Sequence, residues 1–216
     1  MSPERTTLLQ HIATLATDAD ADADADAVDV SSRVFLPLDR HQLALRPEIV
    51  VIEGGRGAGK TALFHLANEL GPEMGAFFQD PSIPAATWVD AYSEHPHHPA
   101  PSVLDQLVAS LESTNDAQLR AFWSVHLLAR LRDAGVVAAR LPDDVAMRYD
   151  AAPHDPASWV ALGAQRIAAL MSCLDAVDAA LGGKQQLVFA SYDNLDRLGL
   201  LEQTRSTRQR LVRGTW

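Results

Sequence analysis

The sequence predicts an α/β fold in which a parallel sheet carries a helical insertion, and three observations support this prediction. EIVVIE, residues 48–53, is a continuous apolar run rich in Ile and Val, typical of a strand buried on both faces. A glycine-rich turn and a helical stripe follow it directly, and QQLVFASYD, residues 185–193, has the pattern of a second buried strand. About one hundred residues, mostly helical in pattern, separate the first helix from the second strand, which is more than a βαβ crossover requires.

Composition limits the class of protein. The chain has 216 residues, 47% of them hydrophobic, which suits one compact domain with a real core. Its net charge of −10 argues against a surface that coats nucleic acid, so nucleic-acid binding is not indicated. Cys173 is the single cysteine, which excludes an internal disulfide and is typical of a reducing compartment. No secretory signal and no long uncharged apolar run are present, so we expect a cytoplasmic protein outside the membrane.

The chain divides by composition into two parts. Residues 1–30 combine a short helical pattern with an acidic low-complexity run, DADADADADAVD. Like charges on small residues favour a solvated segment, and the alternative is an acidic lure for a basic partner. Residues 31–216 are predicted to form one domain, with the helical insertion at about 94–182. The domain opens with RVFLPLD, residues 33–39, which is read as a strand or an extended lead-in because Pro37 interrupts it.

The same periodicities predict the remaining elements. The helix after the glycine turn should run from Lys60 to Leu70, where Gly71 and Pro72 provide the stop signal. Residues 75–80 and 86–93 are weaker strand candidates. Helical patterns predict three helices in the insertion, of which the first two are amphipathic, and an arginine-rich helix near the end of the chain, at residues 103–111, 117–134, 157–181 and 200–212.

The glycine-rich turn, GGRGAGKT, satisfies the GxxxxGK(S/T) pattern of a phosphate-binding loop. Such a loop needs glycines so that backbone N–H groups turn inward around phosphate oxygens, and the helix that follows adds its partial positive charge. Lys60 is predicted to reach the β- and γ-phosphates, and the Thr61 hydroxyl to coordinate Mg²⁺. The pattern leaves Arg56 and Ala58 unconstrained. The residues predicted to surround the nucleotide are Gly54, Gly55, Arg56, Gly57, Ala58, Gly59, Lys60, Thr61 and Ala62.

A phosphate-binding loop needs an acid at the end of a neighbouring strand to hold the metal. LVFASYDNLDRL, residues 187–198, offers Asp193, with Asp196 three residues on. Here the sequence resembles the Walker B element of the additional-strand P-loop ATPases, the group that contains AAA+, STAND and KAP-type proteins. The resemblance implies a three-layer P-loop NTPase fold with ATP and Mg²⁺ as ligands, and it implies that Asp193 holds the metal through water.

The resemblance is incomplete at the next position. Many AAA+ members place Glu directly after the metal-binding Asp to polarise the attacking water, whereas this chain has Asn194. Asp196 takes that catalytic role in one interpretation and caps the following helix in the other. Glu53, at the end of the first predicted strand, is a further candidate base, although its place beside Gly54 favours a structural role.

The segment after Asp196 also differs from the pattern of this group. Members of this group follow the Walker B strand with further strands, including one that carries a polar sensor residue. Only one predicted helix follows Asp196, so we expect either a C-terminally truncated or split ATPase or a sheet completed by the segments near Arg33 and Phe77. The arginines of that last helix read as a solvated face, and the alternatives are a patch for a partner subunit, a nucleic-acid phosphate or a neighbouring nucleotide.

Other chemistry-bearing residues are predicted to be structural. HPHHP, residues 95–99, lacks the spacing of a metalloprotease and is read as a loop with solvated histidines, the alternative being a zinc site. Ser191 has no nucleophile elbow around it, and Cys173 lies in a helical pattern where a buried thiol is expected.

Taken together, these residues predict an ATP-binding domain whose Mg²⁺-dependent hydrolysis drives a regulatory or defence-type switch. Lys60, Asp193 and Asp196 are the predicted catalytic residues, and Thr61 and Asp193 the predicted metal ligands. The insertion suggests coupling to a partner protein or to further copies of the chain. The alternatives are a nucleotide-binding module or scaffold that does not hydrolyse, and a kinase-type phosphotransferase.

Overall fold

The computed structural model describes residues 35, 38–49, 51–53, 57–110, 116–136 and 138–193. The chain divides into two compact units, Met1–Ala85 and Ala86–Trp216. Across the described residues the fold mixes helices with a two-stranded parallel sheet. The coarse prediction of an α/β protein is therefore confirmed.

The described part of the first unit is helical. It contains α1 (Asp39–Ala44), α2 (Lys60–Leu70), a 3-10 turn (Gly71–Glu73) and α3 (Met74–Phe78). Helix α2 has the bounds that the sequence predicts. It buries one face, formed by Leu63, Leu66 and Ala67. The helix ends at Gly71, which has a φ of 50° and donates its N–H to the Ala67 carbonyl.

The strand predicted at residues 48–53 is not formed in its described residues. Ile49, Val51 and Ile52 lie outside helix and strand, and their side chains are 44%, 61% and 48% exposed. A strand buried on both faces needs neighbouring strands to pair with. The described residues of the first unit include no strand, which explains why a strongly β-prone sequence remains unpaired here.

The apolar run at residues 75–80 forms helix α3 rather than a strand. Two of its side chains pack around Phe35, with ring centroids 6.5 Å away for Phe77 and 6.1 Å away for Phe78. A Cβ atom on Gly75 would lie 2.9 Å from the Ile83 carbonyl oxygen, so the chain turns back closely over this residue. A short apolar run has no periodicity that separates helix from strand, which is why the prediction was wrong.

The second unit holds both strands. Strands β1 (Thr87–Tyr92) and β2 (Val188–Tyr192) pair in parallel, with Thr87 opposite Val188 and an irregularity between Asp90 and Tyr92. Both strands were predicted, β1 as a weak candidate. Trp88 and Phe189 lie opposite each other and their rings stack, with centroids 4.5 Å apart.

Between the strands lie helices α4 (Pro101–Ser110), α5 (Asp116–Asp133), α6 (Asp143–Ala151), α7 (Val160–Gln165) and α8 (Ile167–Lys184), with a 3-10 turn at Pro156–Ser158. Helix α6 was not predicted, and the long helix predicted at residues 157–181 is divided at Trp159 and Arg166. The side chain of Trp159 is completely buried. A Cβ atom on Gly163 would lie 3.1 Å from Val125 Cγ2, so α7 packs tightly on α5. Close packing, which periodicity does not reveal, divides the helix.

Helix α5 lies at the centre of the core of the second unit. Its buried side chains include Leu119, Phe122, Trp123, Val125 and Leu128. Burying a side chain of this size stabilises the folded state by about 1.5–3 kcal/mol, so this helix holds the unit together. In the part of the chain that the structure describes, no helix has the length and apolar character needed to cross a membrane.

Candidate functional site

The glycine-rich loop leads directly into α2. Gly57 and Gly59 have φ values of 79° and 78°, in the left-handed region that L side chains rarely adopt, and Gly59 is the N-cap of the helix. The backbone path therefore favours glycine at both positions. Gly54, Gly55 and Arg56, which begin the predicted loop, lie outside the described residues.

The first turn of α2 has the open character of an anion site. Lys60 is the first helical residue and is half-buried, and Thr61 and Ala62 are exposed. The N-cap glycine provides no capping side chain, and the first turn carries no acidic residue. The N–H groups and the partial positive charge of the helix end are therefore not neutralised from within this turn.

His41 is a member of this site that the sequence analysis missed. A Cβ atom on Gly59 would lie 3.6 Å from His41 Nε2, so the imidazole packs against the loop. The Leu38 N–H donates to His41 Nδ1 at 3.3 Å. Because Nδ1 accepts, the proton of the neutral ring lies on Nε2, the nitrogen that faces Gly59. Nothing in the spacing between helix α1 and the loop marks this histidine, so no sequence signal points to it.

Asp193 follows the last residue of β2, as predicted. Its N–H donates to the carbonyl of Tyr92 at 2.8 Å, which fixes it at the carboxyl end of the strand pair. One carboxylate oxygen, Oδ2, is buried, and the described residues provide no hydrogen-bond partner for it. A buried carboxylate oxygen without a protein donor is suited to a cation or a water molecule.

The predicted metal ligands fit Mg²⁺ by their chemistry. The Thr61 hydroxyl and the Asp193 carboxylate are hard oxygen donors of the kind that Mg²⁺ prefers, and this ion usually keeps several waters. Thr61 belongs to the first unit and Asp193 to the second, and each residue is described within its own unit. No group of three or more His, Cys, Asp or Glu side chains suited to a metal ion occurs among the described residues.

The other candidate bases give no further geometry. Glu53 is exposed and lies outside any strand. Asp196 and Asn194 fall outside the described residues, as do the acidic run and the arginine-rich helix predicted near the two ends of the chain. Their predicted roles stay predictions.

The prediction of solvated histidines is wrong for one residue of the HPHHP loop. His98 is buried, with 4% of its surface exposed, and it contacts Asp90 and His126. An imidazole is stable in the interior when both ring nitrogens have polar neighbours, which is the case here. His97 is exposed as predicted.

The two residues that were predicted to be structural have ordinary surroundings. The Ser191 hydroxyl donates to the Val89 carbonyl at 3.0 Å, across the strand pair. Cys173 lies on α8 and is partly exposed instead of buried, at an open depression that Arg140 and Ser172 also line.

In comparisons with protein-family models, curated proteins and solved structures, the chain matches none of them. The functional assignment therefore rests on the residues themselves.

Proposed function

We propose that this chain is the ATP-binding domain of a P-loop ATPase whose Mg²⁺-dependent hydrolysis drives a regulatory or defence-type switch. The observation that carries the proposal is the start of α2. A GxxxxGKT motif runs into a helix whose first residue is Lys60, after two glycines with left-handed φ values. Motif, backbone conformation and helix start agree, and a chance match to the pattern has no reason to do so.

Phosphate binding relies on donors that the first unit holds in place. Backbone N–H groups from the loop and the first turn of α2 surround the phosphate oxygens, and Lys60 neutralises charge on the β- and γ-phosphates. His41 adds an N–H donor beside Gly59. A hydrogen bond from such a donor to a phosphate oxygen is charge-assisted and shorter than a neutral one.

The proposed metal ligands are both hard oxygen donors. Thr61 and Asp193 would hold Mg²⁺, which would offset charge on the β- and γ-phosphate oxygens. The Asp193 N–H donates to Tyr92, so the carboxylate is positioned by the strand pair. Its buried Oδ2 is available to a cation or to a water molecule of the metal's shell.

Hydrolysis proceeds by in-line attack of water on the γ-phosphorus. A bond forms from the water oxygen to phosphorus while the bond from phosphorus to the bridging oxygen breaks, and a carboxylate accepts the water proton. Asp196 is our first candidate for this carboxylate and Glu53 the second. Asn194 after Asp193 favours one alternative, a module that binds nucleotide and does not hydrolyse it, because an amide does not accept that proton.

The helical region between the two motifs is the surface through which nucleotide state reaches a partner protein or a further copy of the chain. It is larger than a crossover needs, its helix α5 packs on β1, and its helices pack on one another. A kinase-type phosphotransferase with the same loop is a further outcome that the experiment below distinguishes.

Lysine content gives this proposal a matched test, because the chain has only Lys60 and Lys184. Binding of ATP with Mg²⁺ is measured by isothermal titration calorimetry for the wild type, Lys60→Ala and Lys184→Ala. We expect Lys60→Ala to weaken binding at least about 100-fold, since it removes a charge-assisted contact to phosphate. Lys184→Ala, at the far end of α8, should bind as the wild type does.

Phosphate release in the same samples decides the reaction. Release of inorganic phosphate that depends on Lys60 supports an ATPase. Binding without release supports the non-hydrolysing module, and transfer to an acceptor other than water supports a phosphotransferase. Equal affinity in Lys60→Ala and wild type would rule out the proposed loop function.

A further inference from the structure

Four side chains form a continuous polar chain through the core of the second unit. The Tyr149 hydroxyl is 3.1 Å from His126 Nδ1, and His126 Nε2 is 2.9 Å from His98 Nδ1. His98 Nε2 then lies 3.1 Å from Asp90 Oδ1, which is an electrostatic contact without a hydrogen bond between the two atoms. Tyr149, His126 and His98 are 4%, 0% and 4% exposed. The chain joins helix α6, helix α5, the HPHHP loop and strand β1.

The Asp90 end sets the protonation of its neighbour. Burial raises the pKa of this carboxyl, but His98, Ser93 and Arg130 outweigh that effect and hold the pKa below its usual value. The Ser93 hydroxyl donates to Asp90 Oδ2 at 2.9 Å, so the carboxylate is ionised and acts only as an acceptor. His98 must therefore carry a proton on Nε2, because a bare lone pair there would face a negative charge.

The proton on His98 Nε2 determines which atom donates and which accepts in every other hydrogen bond of this polar chain. With both histidines neutral, His98 accepts at Nδ1, so His126 donates from Nε2 and accepts at Nδ1 from the Tyr149 hydroxyl. Burial, together with the positive charges nearby, lowers the pKa of His126 to about 3, so this ring is neutral near pH 7. Only this order gives every ring nitrogen a matching neighbour. Protons point from Tyr149 towards Asp90 throughout.

Adding one proton to His98 reverses the middle of the chain. Doubly protonated His98 donates from both nitrogens, to Asp90 and to His126 Nε2. The transfers run along the two hydrogen bonds: the His126 Nε2 proton passes to His98 Nδ1, the Tyr149 hydroxyl proton passes to His126 Nδ1, and a proton from water replaces it on the Tyr149 oxygen. The net change is one proton taken from water and carried by His98, with no change in the charge of His126 or Tyr149.

We propose that Asp90, His98, His126 and Tyr149 form a pH-sensitive hydrogen-bond switch, in which proton uptake at His98 converts His126 from the Nε2–H to the Nδ1–H tautomer. The proposal is independent of nucleotide binding. Ser93 donates to the carboxylate and not to an imidazole, so these residues are not arranged as a Ser-His-Asp triad.

Charged and titratable groups from every neighbouring element set the pH at which the switch operates. Arg130 on α5 donates from Nε to the Asp90 carbonyl at 3.1 Å and opposes proton uptake, whereas the Asp90 carboxylate favours it. The other such groups are His95, His97 and Glu94 in the loop, Asp105 on α4, Arg132 and Asp133 on α5, Asp150 on α6 and His154 after it.

The switch packs against Tyr92, the last residue of strand β1. The ring of Tyr92, which is completely buried, lies 5.5 Å from that of His98 and 6.5 Å from that of His126. The Tyr92 carbonyl accepts the Asp193 N–H. A change in the donor–acceptor order of the four side chains therefore takes place beside Tyr92, the residue that contacts Asp193 at the carboxyl edge of the sheet.

Histidine tautomers are measured directly by long-range ¹H–¹⁵N NMR on the full chain, labelled uniformly with ¹⁵N. At pH 7.5 we expect Nε2–H tautomers for both His98 and His126. On acidification the His98 ring should become an imidazolium, and His126 should change to the Nδ1–H tautomer at the same midpoint. Exposed His65 and His154 serve as internal references for solvated imidazole rings.

A second variant tests the role of the charge. Asp90→Asn removes the acceptor-only group, since an amide presents either a donor or an acceptor to His98. We expect the Nδ1–H tautomer of His126 to become populated at pH 7.5. A Nδ1–H tautomer at either histidine in the wild type at pH 7.5, separate midpoints, or unfolding before His126 changes tautomer would each overturn the proposal.

Discussion

The start of α2 and the His98–His126 chain arrange their hydrogen-bonding groups in opposite ways. At the helix start, the first turn faces solvent without a capping side chain or an acidic residue. In the core of the second unit, each of the two buried histidines has a polar neighbour at both ring nitrogens. A region whose donors are left open is ready for a ligand, whereas a region whose donors are matched is specific for its own fold. The two regions should therefore respond differently to the same kind of substitution.

The largest expected effect is on phosphate release, at the proposed nucleotide site. Asp193→Asn keeps the size of the side chain and removes the charge that we propose holds Mg²⁺. We expect phosphate release at saturating ATP to fall about a thousandfold, equal to ~4 kcal/mol, while ATP affinity changes only severalfold. Asp175→Asn, at an exposed position on α8, is the matched control. Unchanged turnover in Asp193→Asn would show that the metal-binding acid is elsewhere.

The next largest effect is on the free energy of unfolding, through the buried histidines of the second unit. His126→Phe keeps a ring in the core but leaves His98 Nδ1 and the Tyr149 hydroxyl without their partner. We expect the free energy of unfolding to fall by about 2–4 kcal/mol, measured by urea denaturation, because two buried polar groups lose their hydrogen bonds. Adding Tyr149→Phe should restore part of this loss, since the second unpartnered group is then absent. A loss that is simply the sum of the two single variants would show that the groups are not coupled.

A smaller effect follows from pH. Burial lowers the pKa of His126 to about 3 in the folded chain, against about 6.5 when the chain is unfolded. The stability due to the neutral ring is fully present above pH 6.5 and is lost as the pH falls from 6.5 towards 3, because the unfolded chain takes up the proton. We expect the free energy of unfolding to fall by about 1 kcal/mol between pH 7.5 and 5.5.

The same titration has an internal check. In His126→Phe the loss between pH 7.5 and 5.5 should be largely absent, and in His154→Gln, which changes an exposed histidine, it should persist. Stability that stays constant or rises on acidification of the wild type would contradict the assigned environment of His126.

The smallest expected effect is on ATP affinity, through His41 beside the glycine-rich loop. His41→Phe keeps a ring against Gly59 and removes the Nε2 donor, so we expect ATP affinity to fall about three- to tenfold, the value of one hydrogen bond. His65→Phe, an exposed position on α2, is the matched control and should leave affinity unchanged. Equal affinity for His41→Phe and wild type would place the phosphate away from this imidazole.

Sequence patterns identified the elements that local chemistry determines. Helix α2 has the predicted bounds because Gly59 and Gly71 punctuate a regular apolar stripe, and β2 follows from a buried apolar run that ends at Asp193. The strand predicted at residues 48–53 failed because β-propensity supplies no partner. The three-layer arrangement of the P-loop fold stays a prediction.

Side-chain chemistry was predictable only where a motif records it. Lys60 and Thr61 lie side by side in a known pattern, so the spacing predicts a role for each, and both roles stay predictions. His98 and His126 are 28 residues apart, and His41 reaches Gly59 from a separate helix. Such contacts depend on how elements pack, which periodicity in a single sequence does not encode.

The parallel pairing of β1 with β2 has a consequence for folding kinetics. Thr87 pairs with Val188, and the intervening segment contains five helices with local contacts in the described residues. Closing so long a segment costs more entropy than forming a helical turn, so helices α4 to α8 should form before β2 joins the sheet. Strand β2 is also only half-buried, which makes it an early segment to open in native-state hydrogen exchange. We therefore expect Asp193, held at the end of that strand, to be positioned late during folding and released early during local unfolding.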